Sequence, residues 1–400
     1  MKRNEVITIL ISGGDSWVNL GDNAILEGTI ELLKKLSFPI EILILSGNSR
    51  VTKQNYPQYQ IINRNNLCSL LVSIGKADVV VWGGGHLIQN TSSKLFLGYQ
   101  LFILILAILH HKILIGFALG AEEINGRLWR YITKLILNKF FDISVRDTFS
   151  LKYLHQLGVK VPIRISADPA VILKPSLVTS QELNILSQEP FVLIAPRKWF
   201  DYQSSFLPVR FQRKLFNRNS LEFTTLLQKF AKISDWIIEN YHFKVYFMPM
   251  YPGNNQDDER VSKQIIDLME HKELTNIISG LEKPCEIIGF FANAELLLGM
   301  RMHATILGAC ANVPIIGINY QNKGGSFFDS LNLTHFAIPI EDFNIMNTIE
   351  LIKEVLSNRS QIKSSLDRQM IKLSGAALLN LEGIKNVREA NRNEIQDKPE

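Results

Sequence analysis

Short runs of β-branched and other apolar residues alternate with amphipathic stretches along almost the whole chain, and this rhythm restricts the fold most. Strand candidates in the first half are 6–12, 40–45, 77–82, 112–118, 142–145 and 163–167, with helical patterns over 22–36, 67–75, 95–110, 126–139 and 148–157. The strands are apolar nearly throughout, which predicts a parallel sheet covered on both faces. A polar stretch bracketed by Pro175 and Pro190 interrupts the rhythm, which then restarts. Strands are expected at 191–195, 244–249, 275–278, 294–298, 313–318 and 335–338, and helices at 220–241, 257–271, 285–291, 303–311 and 342–357. Beyond Asn358 the pattern is helical and polar. The expected plan is two tandem Rossmann-like, doubly wound α/β domains with a C-terminal helical tail. Residues 1–175 form the first domain, 176–189 a linker, 190–358 the second domain, and 359–400 a tail packing back on the first.

Composition narrows the class. With 46% hydrophobic and 20% charged residues in 400, the chain is globular and not disordered. A net charge of +5 is too mild to announce a nucleic-acid binder, so no nucleic acid is expected. Cys68, Cys285 and Cys310 form neither a CxxC nor a disulfide framework and read as reduced thiols. The basic start and first apolar run imitate a leader, but a strand's length and a following Gly-Gly-Asp favour a first β-strand. The most apolar stretch, 95–109, is shorter than the roughly 20 residues of a membrane span and reads as a buried helix, with membrane contact as the minor reading. A cytoplasmic protein is expected, with room for peripheral attachment at the inner face of a membrane.

Ligands of doubly wound sheets bind beyond the carboxyl ends of the strands, so the loops there carry the candidate chemistry. Gly13, Gly14, Asn19, Gly21, Asp22 and Asn23 follow the first strand and open a helix, a ligand loop or a tight turn. Gly83, Gly84 and Gly85 follow the 79–81 run, and three glycines in a row imply a close approach to the backbone. Arg146 ends a strand and suits capture of a phosphate or carboxylate, or an ion pair with Asp147. Asp168, before Pro169, is a proton acceptor or a turn former. Arg301 and His303 share one strand-to-helix junction, where an Arg can clamp an anion and a His can donate a proton. Tyr320 and Lys323 follow another strand. Asp257-Asp258-Glu259 reads as helix-start charge, and no metal site is expected.

These loops together resemble the polysaccharide pyruvyl transferase family. The resemblance rests on Asn19-Leu20-Gly21-Asp22-Asn23-Ala24, on Asp78-Val79-Val80-Val81-Trp82 with the three glycines, and on Ser144-Val145-Arg146-Asp147 with Ser150. Asp168-Pro169-Ala170, Gly299-Met300-Arg301-Met302-His303 and Asn319-Tyr320-Gln321-Asn322-Lys323 complete the ordered set. It implies a GT-B-like fold and transfer of pyruvate, as a ketal, from phosphoenolpyruvate to a sugar of a cell-surface polysaccharide or its lipid-linked precursor. No cofactor is implied; phosphoenolpyruvate is the donor substrate. Arg301, Arg146, Arg197, Lys323 and Tyr320 would then hold the donor. His303 would act as general acid or steady the leaving phosphate, and Asp22 or Asp168 would take a hydroxyl proton. One departure stands at residues 116–123, where the family often carries a Pro in a Gly-rich stretch, and it leaves the acceptor open. The competing readings are a nucleotide-sugar glycosyltransferase of the same architecture and an inactive glycan-binding protein.

The positive charge is concentrated. Residues 197–218 hold Arg197, Lys198, Arg210, Arg213, Lys214 and Arg218 against Asp201, a net of 6 − 1 = +5, interleaved with aromatic side chains. Three readings stay open for this segment: a surface for an anionic acceptor, a surface for anionic lipid headgroups, or a solvated basic loop.

Overall fold

The computed structural model describes residues 6–13, 19–91, 93–199, 221–251, 257–320 and 322–396; the side chains of 257, 322–324, 391 and 393–396 also fall outside the description. Lys323 has only its backbone described, and Gly14 and most of the basic segment 197–218 lie outside the described residues.

Two parallel sheets organise the chain. The first contains β1 (Ile7–Ser12), β2 (Ile40–Ser46), β3 (Gln60–Asn63), β4 (Val79–Ile88), β5 (Ile113–Ala121), β6 (Asp142–Val145) and β7 (Ile163–Ile165), in the order β3-β2-β1-β4-β5-β6-β7. The second contains β8 (Phe191–Ala195), β9 (Lys244–Phe247), β10 (Thr275–Ile277), β11 (Leu296–Gly299), β12 (Ile315–Asn319) and β13 (Ala337–Pro339), in the order β10-β9-β8-β11-β12-β13. Both run outward from their first strand and then reverse, so each has a switch point, between β1 and β4 and between β8 and β11. The crevices expected at these points are where ligands bind in such folds.

The apolar strands are explained by burial on both faces. Ile9, Ile11, Val79 and Val81 enter one core with the helix Leu20–Leu33, and that core continues into the second domain. Leu10, Val80, Trp82 and Leu114 enter another, under the helices Leu67–Lys76, Lys94–Leu109 and Arg127–Leu137. The alternation follows from the two-residue period of a strand. After β13 the chain is helical, over Ile345–Ser357, Arg359–Ala377 and Glu382–Gln396. Buried Asn380 fixes this tail to the first sheet: its Oδ1 accepts from Ser144 Oγ at 2.6 Å and Ser166 Oγ at 2.7 Å, and its Nδ2 donates to Ala167 O at 3.0 Å. No described helix is long and apolar enough to cross a membrane.

Five elements differ from the sequence reading. Strand β3 and the helix Ser49–Asn55 were not expected, because Gln-Ile-Ile-Asn is too short a signal. Residues Gln181–Leu186, in the expected linker, form a short helix capped by Ser180. The three glycines lie inside β4 and not beyond it, pairing with β5 from Gly83↔Phe117 to His86↔Gly120. They serve packing: a Cβ at Gly83 would sit 1.9 Å from Phe117 O, and one at Gly84 (φ +71°) 1.9 Å from Ile25 Cγ2. The helix Lys94–Leu109, expected to be buried, leaves Leu95, Phe102, Ile105 and Leu109 exposed.

The domains also meet at Glu27, whose Oε1 accepts from Cys285 Sγ at 2.9 Å, with Tyr56 Oη 3.5 Å from Oε2. Burial pushes the Glu27 carboxyl up and the Cys285 thiol up to about 12. A carboxyl raised in the fold favours its neutral form there, so ionising it removes stability as pH rises from its unfolded value through its folded one. Glu27→Gln should therefore melt higher than wild type near pH 8 and similarly near pH 4, a difference that calorimetry across that range would measure.

Candidate active site

A cavity of about 370 Å³ lies between the two switch points. The first domain contributes Gly13 after β1, Asp22, Arg64 after β3, Gly84 to Leu87 in β4, Phe96, Gln100 and Arg146 after β6. The second contributes Arg197 after β8, Met250 after β9, Arg301 to His303 after β11 and Tyr320 after β12. A backbone bond crosses the seam beside it, from Leu20 N to Met250 O at 2.9 Å.

Asn19 starts the first of the converging helices, its Oδ1 accepting from Gly21 N at 3.0 Å. This cap places Asp22 in the first turn, on the cavity. Asn23, about 100° further round the helix, is 1% exposed and turns inward, so it is no ligand-loop side chain. Gly21 contributes space: a Cβ there would lie 2.5 Å from His303 Nδ1.

Arg301 lies two residues past β11 and immediately before the helix Met302–Cys310. Its Nε and Nη2 donate to the two carboxylate oxygens of Asp258 at 3.0 and 2.6 Å, and Tyr251 lies with its ring centroid 5.8 Å from the guanidinium. Asp258 is fully buried. The sequence reading took it for helix-start charge, and nothing local could correct that, because its partner is 43 residues away. A bidentate pair fixes the plane of a guanidinium while leaving Nη1 for a ligand.

His303 follows in the helix's first turn. Its Nε2 stands 3.5 Å from Asp168 Oδ2, a contact short of hydrogen-bond geometry. Asp168 Oδ2 also accepts from Arg146 Nη1, and Oδ1 accepts from Ala170 N at 3.0 Å, capping the turn Pro169–Ile172. Burial pushes the Asp168 carboxyl up, but the Arg146 charge and His303 outweigh it and hold it well below the usual carboxylate range. A carboxylate so held is a poor proton acceptor, which tells against the expected catalytic proton transfer at Asp168. Arg146 pairs with Asp168 and not with Asp147, which caps the helix Thr148–Leu157 through Ser150 N.

Arg197 Nη1 donates to Tyr320 Oη, and the guanidinium lies 4.7 Å from that ring's centroid. Of the expected residues, the cavity thus gathers Gly13, Asn19, Asp22, Gly84, Gly85, Arg146, Arg197, Arg301, His303 and Tyr320. Gly21, Gly83, Asn23 and Asp168 lie outside its lining, the last touching two residues within it. Arg64 was missed because it follows the unread strand β3. Four guanidinium groups face the cavity against Asp22, the one lining carboxylate among the described residues, so the site favours a small polyanion. Among the described residues no group of three His, Cys, Asp or Glu side chains is set to hold a metal.

Gly21→Ala should displace the His303 ring and cost about 1–3 kcal/mol, as overpacking does. Shifted imidazole resonances with an unchanged far-ultraviolet spectrum are the expected result.

The fold recurs among solved structures. UDP-GlcNAc 2-epimerase from Neisseria meningitidis, bound to UDP-GlcNAc, superposes with a TM-score of 0.58 at 10% identity, covering 95% of this chain and 99% of that one. The UDP-GlcNAc 2-epimerase of Methanocaldococcus jannaschii gives 0.54 at 14% identity, over 88% and 92%. Such identities establish a shared GT-B-like fold alone. No curated protein matches. The family model described as polysaccharide pyruvyl transferase matches residues 19–322, a span running from the helix cap at Asn19 past Tyr320. The chain belongs to the polysaccharide pyruvyl transferase family.

Proposed function

We propose that this cavity moves the three-carbon frame of phosphoenolpyruvate onto two hydroxyls of one sugar in a polysaccharide or its precursor, releasing phosphate. One observation carries the reading: a buried-aspartate-braced arginine and histidine open one helix, and they face further arginines across a cavity of small-metabolite size. The donor bears a phosphate and a carboxylate on a short frame. Arg301, Arg197 and Arg146 suit those groups, with Tyr320 steadying Arg197. Lys323 belongs to the same proposed set from its place in the sequence.

The chemistry balances on side chains alone. A proton adds to the donor's methylene carbon to form a methyl group, and one sugar hydroxyl attacks the neighbouring carbon. The second hydroxyl then displaces the phosphate. Of the two hydroxyl protons, one replaces the proton spent on the methylene and the other leaves with the phosphate. His303 Nε2 is turned toward Asp168, so proton exchange with the substrate falls to Nδ1 beside Gly21. Asp168 acts as a positioning residue that holds the orientation of the ring. Asp22, on the cavity wall, is the candidate acceptor for a hydroxyl proton.

His303→Ala or Arg301→Ala should lower turnover about a thousandfold or more with the fold retained, since proton transfer and charge stabilisation each contribute about 10²–10⁴-fold. Asp258→Asn, which loosens Arg301, should raise the KM for phosphoenolpyruvate more than it lowers kcat. The assay follows phosphate release from phosphoenolpyruvate with glycan acceptors and the mass gain of a ketal. Full activity of both alanine variants would sink the assignment, and turnover of a nucleotide sugar instead would favour the glycosyltransferase reading.

A further inference from the structure

The outer surface of the first domain carries an apolar face that the reaction does not explain. On the helix Lys94–Leu109 the exposed residues Leu95, Phe102, Ile105 and Leu109 follow spacings of seven, three and four, one stripe of an α-helix. On the helix Arg127–Leu137, exposed Leu128, Tyr131 and Leu135 repeat that periodicity. The two helices are neighbours: a Cβ on Gly98 would sit 3.2 Å from the Trp129 ring. Leu109 and Leu128 are 68% and 67% exposed, well beyond what packing under a sheet explains.

Cations accompany the apolar stripes. Residues 94–139 contain Lys94, Lys112, Arg127, Arg130, Lys134 and Lys139 against Glu122 and Glu123, a net of 6 − 2 = +4. Arg130, Tyr131 and Lys134 also line a second cavity, of about 330 Å³, together with Glu123, Tyr153 and Leu157. Both cations there stand at the edge of the Leu128–Tyr131–Leu135 stripe.

We propose that this face docks on the surface of an anionic lipid bilayer, its apolar stripes at the acyl boundary and its Lys and Arg side chains on lipid phosphates. Apolar side chains with a basic surround are the composition that binds in the plane of such an interface. Each cation near an anionic surface adds about 1 kcal/mol. A second copy of the chain fits less well, because two-fold packing would set this positive face against itself. The docked helix reaches the active-site cavity, which Phe96 and Gln100 line from the same helix. Phe96 and Gln100 lie about 150° round the helix from the apolar stripe, so docking would hold that cavity on the far side of the helix from the lipid. The inference rests on this surface alone and stands apart from the donor's identity.

The test is co-sedimentation of the full chain with phosphatidylglycerol–phosphatidylcholine vesicles and with pure phosphatidylcholine vesicles. Binding to the anionic vesicles alone, weakened by salt, is expected. Arg127→Glu with Arg130→Glu should lower the bound fraction about tenfold or more. Phe102→Ser with Leu128→Ser should do the same, with unchanged circular dichroism showing that each variant folds. Absent or charge-independent binding of the wild type would overturn the proposal, as would unchanged binding by the folded charge variant. A dimer dissolved by the serine substitutions, with no vesicle binding, would assign the face to a second copy.

Discussion

Asp168 is a carboxylate of the first domain that accepts from Arg146 of the same domain and faces His303 of the second. It also caps the turn Pro169–Ile172, against which the helices Leu20–Leu33 and Met302–Cys310 pack. An ionised carboxylate with so little solvent is tolerable only because the Arg146 charge and a backbone N–H accompany it. Removing either partner would leave an uncompensated buried charge at the junction of the domains. The close packing there has its own requirement, since a Cβ on Gly28 would fall 2.2 Å from Pro169 O.

The same device recurs at Arg301, which Asp258 holds from beneath. In both places a buried aspartate fixes a cation before any substrate arrives. That arrangement lowers the net positive charge of the empty cavity and limits the self-repulsion of four guanidinium groups. It also spares a bound anion the cost of ordering long side chains, which otherwise subtracts from affinity. Arg197 is ordered differently, through the hydroxyl and ring of Tyr320.

Much of this plan was legible in the sequence, because strand-end loops are local. The pattern of apolar runs marks where each strand stops, and doubly wound topology sends those stops to one crevice. Arg146, Arg197, Arg301, His303 and Asp22 could thus be found without knowing what they touch. What they touch was not legible. Asp258 and Arg301 come from different turns of the second domain, and Asp168 meets His303 only because two domains close on each other. Arg64 stayed hidden behind a four-residue strand with polar ends. The glycines of β4 misled in the other direction: their low strand propensity suggested a loop, while the ladder with β5 carries them on to Ile88.

The contact of Leu20 N with Met250 O sits at the mouth of this arrangement and belongs to both halves of the molecule. Gly21, one residue on, is the wall against which the second domain's His303 rests. A rotation that parted the sheets would break the bond, take the wall from the imidazole and withdraw the Asp168 charge from it. The surroundings of the imidazole are therefore complete only while the two domains stay closed on each other, and domain closure and the setting of the ring are one event.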